Sequence, residues 1–88
     1  MQITLKLFAS LTDYLPKDKC RGNELALEIA DSTKVAEVIA AFNLPDKLVH
    51  LVLVNGRYVS PEHRGSHLLV GGDALAIWPQ LQVDKAGN

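Results

Sequence analysis

The hydrophobic period of this chain changes from two to about 3.6 and back again, and that change constrains its fold more than any other feature. Apolar and polar residues alternate over residues 2–8 and again over 24–30, which predicts two strands that each bury one face. From Val35 to Phe42 the apolar residues fall at i, i+3, i+4 and i+7, as in an amphipathic helix. We therefore expect strand, strand and helix in that order.

Three more strands are predicted after the helix. Residues 50–54 are apolar and β-branched, and the Asn55-Gly56 pair that follows favours a type I′ hairpin turn, whose two central residues both need positive φ. The chain should return as a short strand over 57–60, and the last strand should be 74–78. One helix packed on a mixed sheet of about five strands is an α+β architecture with the order ββαβββ.

The boundaries follow from local signals. Ser32 or Thr33 is a suitable N-cap for the helix, because a hydroxyl can accept a hydrogen bond from a free backbone N–H, while Asn43 and Pro45 should end it. Residues 9–15 read as a helical turn or short helix. Since 88 residues leave room for one core, we expect one domain over 1–79 and a flexible C-terminal tail over 80–88.

Composition excludes several classes of partner. The net charge is −1, with nine basic and ten acidic side chains spread along the chain, so nucleic acid and anionic membranes are not expected partners, because both require a clustered positive field. No apolar run approaches ~20 residues, and we expect neither a signal peptide nor a membrane span. Cys20 is the single cysteine, which excludes an intramolecular disulfide and makes a cytoplasmic location the default.

No group of residues predicts catalysis, a metal or a cofactor. His63 and His67 are four residues apart, but they lie in a Pro/Gly-containing segment without a Cys or Glu at metal-ligand spacing, so a surface loop is favoured over a metal site. Cys20 lies between two cations that would favour its thiolate, yet no base is near in sequence and an incidental thiol is the better interpretation. The Gly71-Gly72 pair lacks the Lys-Ser/Thr of a phosphate loop and predicts a turn.

The aromatic residues are more informative. By the alternation above, Phe8, Tyr58 and Trp78 fall on the face of the sheet opposite the core. If the first and last strands are neighbours, these side chains form one exposed patch, and exposed aromatic clusters mark binding surfaces. In the alternative interpretation, one or two of them cover a loop or the edge of the core.

Four stretches together resemble the MoaD/ThiS family of sulfur carriers, which have a ubiquitin-like β-grasp fold, and the resemblance is closer to MoaD. It covers residues 1–79. The stretches are Leu7-Phe8-Ala9-Ser10-Leu11, Thr33-Lys34-Val35-Ala36-Glu37-Val38, Val52-Leu53-Val54-Asn55-Gly56-Arg57-Tyr58-Val59 and Gly72-Asp73-Ala74-Leu75-Ala76-Ile77-Trp78-Pro79.

The resemblance implies a protein that is not an enzyme and works through protein partners in molybdopterin synthesis. These partners would be an activating adenylyltransferase-type enzyme, which adenylates a C-terminal Gly-Gly for conversion to a thiocarboxylate, and a larger pterin-binding subunit. It also implies that Phe8, Tyr58 and Trp78 help to form the docking face.

The carrier tail of the family corresponds here to Gly87 and Asn88. In place of a short Gly-Gly ending, residues 80–88 read Gln-Leu-Gln-Val-Asp-Lys-Ala-Gly-Asn. A carrier role therefore requires trimming after Gly87 or an activating enzyme that accepts Asn88. The alternative is a non-carrier interaction module that binds a larger subunit or a metallo-oxidoreductase through the same aromatic face.

Overall fold

The computed structural model describes residues 1–80. In that range the strands are β1 (Gln2–Leu7), β2 (Glu24–Glu28), β3 (Leu51–Val54), β4 (Arg57–Tyr58) and β5 (Ala74–Trp78), and the α-helix is α1 (Val35–Ala41). Short 3-10 helices span Ala9–Tyr14, Asp46–Leu48 and Pro61–His63. The predicted ββαβββ order and the short helix after β1 are confirmed, and the segment predicted as a loop after residue 60 contains one of the 3-10 helices.

The five strands form one mixed sheet in the order β2-β1-β5-β3-β4. β1 and β5 are parallel at the centre, and every other pair is antiparallel. The first and last strands are therefore neighbours, as the placement of the aromatic residues required. The α+β ubiquitin-like β-grasp fold is confirmed.

The core lies between α1 and one face of the sheet. Val35, Val38 and Ile39 of the helical stripe are buried, and Phe42 is half-buried against them. The sheet contributes the inward residues of its alternating strands, because side chains two residues apart share a face. These buried strand residues are Ile3, Leu5, Leu7, Leu25, Val52, Val54, Leu75 and Ile77.

The start of α1 differs from the prediction. The N-cap is Lys34 rather than Ser32 or Thr33. Residues 33–35 pair like a strand with residues 67–69 before the helix begins, and two of its first free N–H groups donate to distant carbonyls: Val35 to His67 at 3.0 Å and Ala36 to Arg64 at 2.9 Å. A hydroxyl cap is therefore unnecessary. Thr33 instead donates its hydroxyl to the Ala30 carbonyl.

Other local signals are confirmed. Asn43 ends the helix with a φ of 56°, in the left-handed region that helix C-termini use. Asn55 and Gly56 have φ of 52° and 83°, as a type I′ turn requires. The predicted tail, with Gly87 and Asn88, lies outside the described residues except for Gln80. Up to that residue, no helix is both long and apolar enough to cross a bilayer.

Candidate partner-docking face

Apolar side chains gather on the sheet side that faces away from α1. The register sets Trp78 of β5 opposite Leu51 of β3, and Ala76 opposite Leu53. Leu53 in turn faces Tyr58 of β4. Directly opposed residues project from the same face, so these five side chains form a continuous strip over three neighbouring strands.

Phe8 extends this strip beyond the end of β1. Its ring stacks on Trp78 with 4.1 Å between the centroids and 5° between the planes. The Phe8 N–H donates to the Ile77 carbonyl at 3.2 Å. This bond holds the backbone at Phe8 beside the end of β5, where Trp78 lies. Aromatic pairs in contact contribute about 0.5–1.5 kcal/mol beyond the area they bury. The pair is therefore a preformed, rigid part of the surface.

Tyr58 lies apart from this pair. It is on the edge strand β4, with β3 between it and Trp78, and 59% of it is exposed. The structure thus stacks two of the three predicted aromatic residues and sets the third on the same face, connected to them through Leu51 and Leu53. We call this surface the sheet face. It consists of the exposed Tyr58, the half-buried Phe8, Leu51, Leu53 and Trp78, and the buried Ala76 between them.

Sequence reasoning missed Leu51, Leu53 and Ala76. Every residue from 51 to 54 is apolar, so the run has no alternation and reads as buried on both sides. The signal that could have found the two leucines was the register fixed by the Asn55-Gly56 turn, because in a two-residue hairpin the residue pairs are set outward from the turn.

The other half of the same side is polar. Thr4 and Lys6 of β1 are paired with Ala26 and Glu24 of β2, and the Lys6 ammonium lies 3.8 Å from the Glu24 carboxylate. The N-terminal ammonium lies 3.1 Å from Glu28. The apolar surface therefore ends at β1, and the charges beside it already have partners.

A partly buried hydrogen-bond network fixes the hairpin that carries Tyr58. Asp73 is 6% exposed, and its carboxylate accepts hydrogen bonds from Asn55 Nδ2 at 2.8 Å and from the Val70 N–H at 2.9 Å. Asn55 Oδ1 accepts from the Ala74 N–H at 2.9 Å. These side chains join the β3–β4 turn to the segment that leads into β5, and we call them the Asp73–Asn55 lock.

The remaining candidate residues do not converge on a site. The Ser60 hydroxyl and His63 Nδ1 are hydrogen-bonded within one short turn, and between residues 1 and 80 no three His, Cys, Asp or Glu side chains come together as metal ligands would. The pKa of Glu62 in the same turn is lowered from its ordinary value, because its own backbone N–H and then the Ser60 hydroxyl hydrogen-bond the carboxylate. Cys20 is half-buried against the core.

The glycine pair before β5 is a turn, as predicted. Gly72 has a φ of 90°, which favours glycine, and its N–H donates to the Gln2 carbonyl at 2.8 Å. The segment thus leads directly into β5, whereas a phosphate loop would lead into a helix.

Comparison with known proteins decides the family. The model of the Mut7-C ubiquitin family matches residues 1–84. The chain belongs to this family. The expected membership of a ubiquitin-like β-grasp family is confirmed, and ubiquitin-like carriers and modifiers are not enzymes themselves. No curated protein sequence matches the chain.

Two solved structures share the fold of this Mut7-C ubiquitin domain. Both are of SAMP1, small archaeal modifier protein 1, from Haloferax volcanii, and both superpose with a TM-score of 0.65. One is 18% identical, with 94% of this chain and 99% of the other covered; the second is 20% identical, with 91% and 98% covered. At these identities the likeness is one of fold, and it extends over nearly the whole of both chains.

Proposed function

We propose that this domain works by docking, with the sheet face laid against an apolar surface of a larger, folded partner protein. The observation that carries the proposal is the stacked Phe8–Trp78 pair, continuous with two leucines and an exposed tyrosine on the sheet side opposite the core. Rigid aromatic side chains lose little entropy on binding and dominate the energetics of many interfaces.

The charge distribution supports an apolar contact. None of the six residues of the sheet face is charged, and the ionised groups at its border, Lys6 and Glu24, are paired with each other. Interface centres are depleted of charged residues and enriched in aromatic ones. A folded partner with an apolar patch therefore fits this surface better than a charged peptide or a nucleic acid.

In its finer form the proposal is a carrier-type role. The partners would be an activating adenylyltransferase-type enzyme and a larger pterin-binding subunit of molybdopterin synthesis, in the cytoplasm. The sequence resemblance supports this role, and so does the modifier named in the two structures of the same fold. Trp78, the last residue of β5, lies in the sheet face, so the end of β5 lies beside the docked partner.

The carrier role is tested with the activating enzyme encoded in the same genome. Calorimetric titration should show binding that Trp78→Ala weakens by more than about tenfold, because a truncated hot-spot aromatic costs about 2 kcal/mol or more. Lys47→Ala, a change at an exposed residue outside the sheet face, is the control and should bind as the parent does. An equal affinity for all three proteins would refute docking through the sheet face.

Chemistry is tested separately from docking. Incubation with the activating enzyme, ATP and a sulfur donor should increase the intact mass by the difference between one sulfur and one oxygen atom, with or without trimming after Gly87. An unchanged mass would exclude the carrier role.

A second form of the proposal is a non-carrier interaction module of a metallo-oxidoreductase or another system. Residues 80–88 contain one glycine, Gly87, rather than a Gly-Gly pair, and this favours it. It predicts the same loss of binding on truncation of Trp78, measured with that oxidoreductase, but no gain of sulfur.

A further inference from the structure

A second apolar surface lies at the hairpin end of the domain, on the α1 side of the sheet. Leu68 and Val70 are 52% and 60% exposed, whereas Leu69 between them is 2% exposed. Leu69 anchors the segment in the core, and its two neighbours project outward. Two large apolar side chains this exposed and this close together call for an explanation that the core does not supply.

The exposure belongs to a well-held segment. The Leu69 N–H donates to the Thr33 carbonyl at 2.9 Å, and the Val35 N–H donates to the His67 carbonyl at 3.0 Å. The Val70 N–H is bonded to the Asp73 carboxylate of the Asp73–Asn55 lock. Hydrogen bonds of the backbone thus fix the segment on both sides of Leu68. The exposure of the two side chains is therefore a property of an ordered segment and does not come from local unfolding.

A groove of about 540 Å³ runs between these side chains and the β3–β4 hairpin. We call it the hairpin groove, and its lining residues are Val54, Asn55, Arg57, His67, Leu68, Val70 and Asp73. Arg57 is paired with Val54, which is buried in the core. Opposed residues share a face, so Arg57 projects toward the groove and away from the sheet face.

The groove has a basic rim. Lys34 forms an antiparallel bridge with Leu68, which places the two side chains next to each other. Neither Lys34 nor Arg57 forms an ion pair within residues 1–80. Two acids lie nearby, and both accept hydrogen bonds from neutral donors: Asp73, which is 6% exposed, through both carboxylate oxygens, and Glu37 through Oε1 from the Lys34 N–H at 2.7 Å.

From this arrangement we infer that the hairpin groove binds an acidic segment of a partner protein. Its apolar side chains pack on Leu68 and Val70, and its carboxylates face Arg57 and Lys34. Two cations are too few for a nucleic acid, whose binding is dominated by many phosphate contacts. Two cations beside exposed apolar side chains match an acidic peptide with apolar anchors. This surface is separate from the sheet face, so the inference does not depend on the proposed function.

The test is a titration of the ¹⁵N-labelled domain with a short capped peptide of glutamates that contains two leucines. Amide signals of residues 55–57 and 67–70 should shift, and the affinity should fall as salt is added. Arg57→Glu and Val70→Ser should each weaken binding by about tenfold or more. Arg21→Glu, which makes the same charge change at an exposed site beside β2, is the matched control and should retain the parent affinity.

Four results would overturn the inference. The first is equal binding of a peptide in which lysines replace the glutamates, and the second is a set of signal shifts confined to the sheet face. The third is an unaltered affinity of Val70→Ser for the peptide, and the fourth is the absence of shifts at the highest peptide concentration. A dilution series of the domain alone completes the test: signals of residues 67–70 that move with protein concentration would assign the groove to a second copy of this chain instead.

Discussion

Replacement of Asp73 by alanine should destabilise the domain more than its position in a surface turn suggests. Asp73 is the one charged residue among residues 1–80 that is buried. Its carboxylate holds Asn55 and the Val70 N–H, and its backbone carbonyl accepts from the Thr4 N–H at 2.9 Å. The residue thus joins β1, the β3–β4 turn and the segment before β5.

The size of the effect follows from the two bonds to the carboxylate. A hydrogen bond to a charged group contributes about 1.5–3 kcal/mol, so the pair sums to about 3–6 kcal/mol. The loss should lie near the lower end, because removal of the buried charge relieves its desolvation and the exposed Asn55 amide can bond to water instead. We expect Asp73→Ala to lower the free energy of unfolding by about 3 kcal/mol, measured by urea denaturation, and the melting temperature by roughly 12–24 °C.

Three further variants separate the lock from other effects. Asp73→Asn keeps one acceptor oxygen and should lose about half as much. Asn55→Gly removes the side-chain bonds but tolerates the positive φ, whereas Asn55→Ala adds about 1–2 kcal/mol of left-handed strain. A free energy of unfolding of Asp73→Ala within about 0.5 kcal/mol of the parent would refute this account of the lock.

Three further predictions use the same denaturation assay. Gly72→Ala should lower the free energy of unfolding by about 1–2 kcal/mol, because φ at this residue is 90°. Gly65→Ala should leave it nearly unchanged, because Gly65 has open space around it and no positive φ. Equal losses in the two variants would contradict the strain argument. Glu37→Ala should lower the free energy of unfolding by about 1 kcal/mol, because the Lys34 N–H loses its acceptor. Glu37→Gln keeps an acceptor oxygen and should retain most of the stability of the parent. A double-mutant cycle of Phe8→Leu and Trp78→Leu should give a coupling of about 0.5–1.5 kcal/mol, and a value near zero would show that the stack stabilises nothing.

The elements of the fold were predictable because each has a local signal. The alternation in β1 and β2, the helical stripe of α1 and the Asn55-Gly56 turn are all properties of neighbouring residues. The cap of α1 was not predictable, since its N–H groups bond to carbonyls about thirty residues away, at His67 and Arg64. Sequence periodicity does not report such partners.

The candidate surfaces divide in the same way. The outward placement of Phe8, Tyr58 and Trp78 followed from alternation, whereas the stack of Phe8 on Trp78 depends on the end of β1 meeting the end of β5. Leu68 and Val70 lie in a segment without strand or helix periodicity. Their exposure arises from the pairing of residues 67–69 with 33–35, which only the assembled structure shows.

The side chain of Trp78 reports directly on docking at the sheet face. The chain contains one tryptophan, so its indole N–H gives a single NMR signal from the middle of this face. We predict that this signal shifts or broadens as the ¹⁵N-labelled domain is titrated with the activating enzyme, together with the amides of Leu51, Leu53 and Tyr58. An indole signal that stays unchanged while other amides show that the partner is bound would contradict the account.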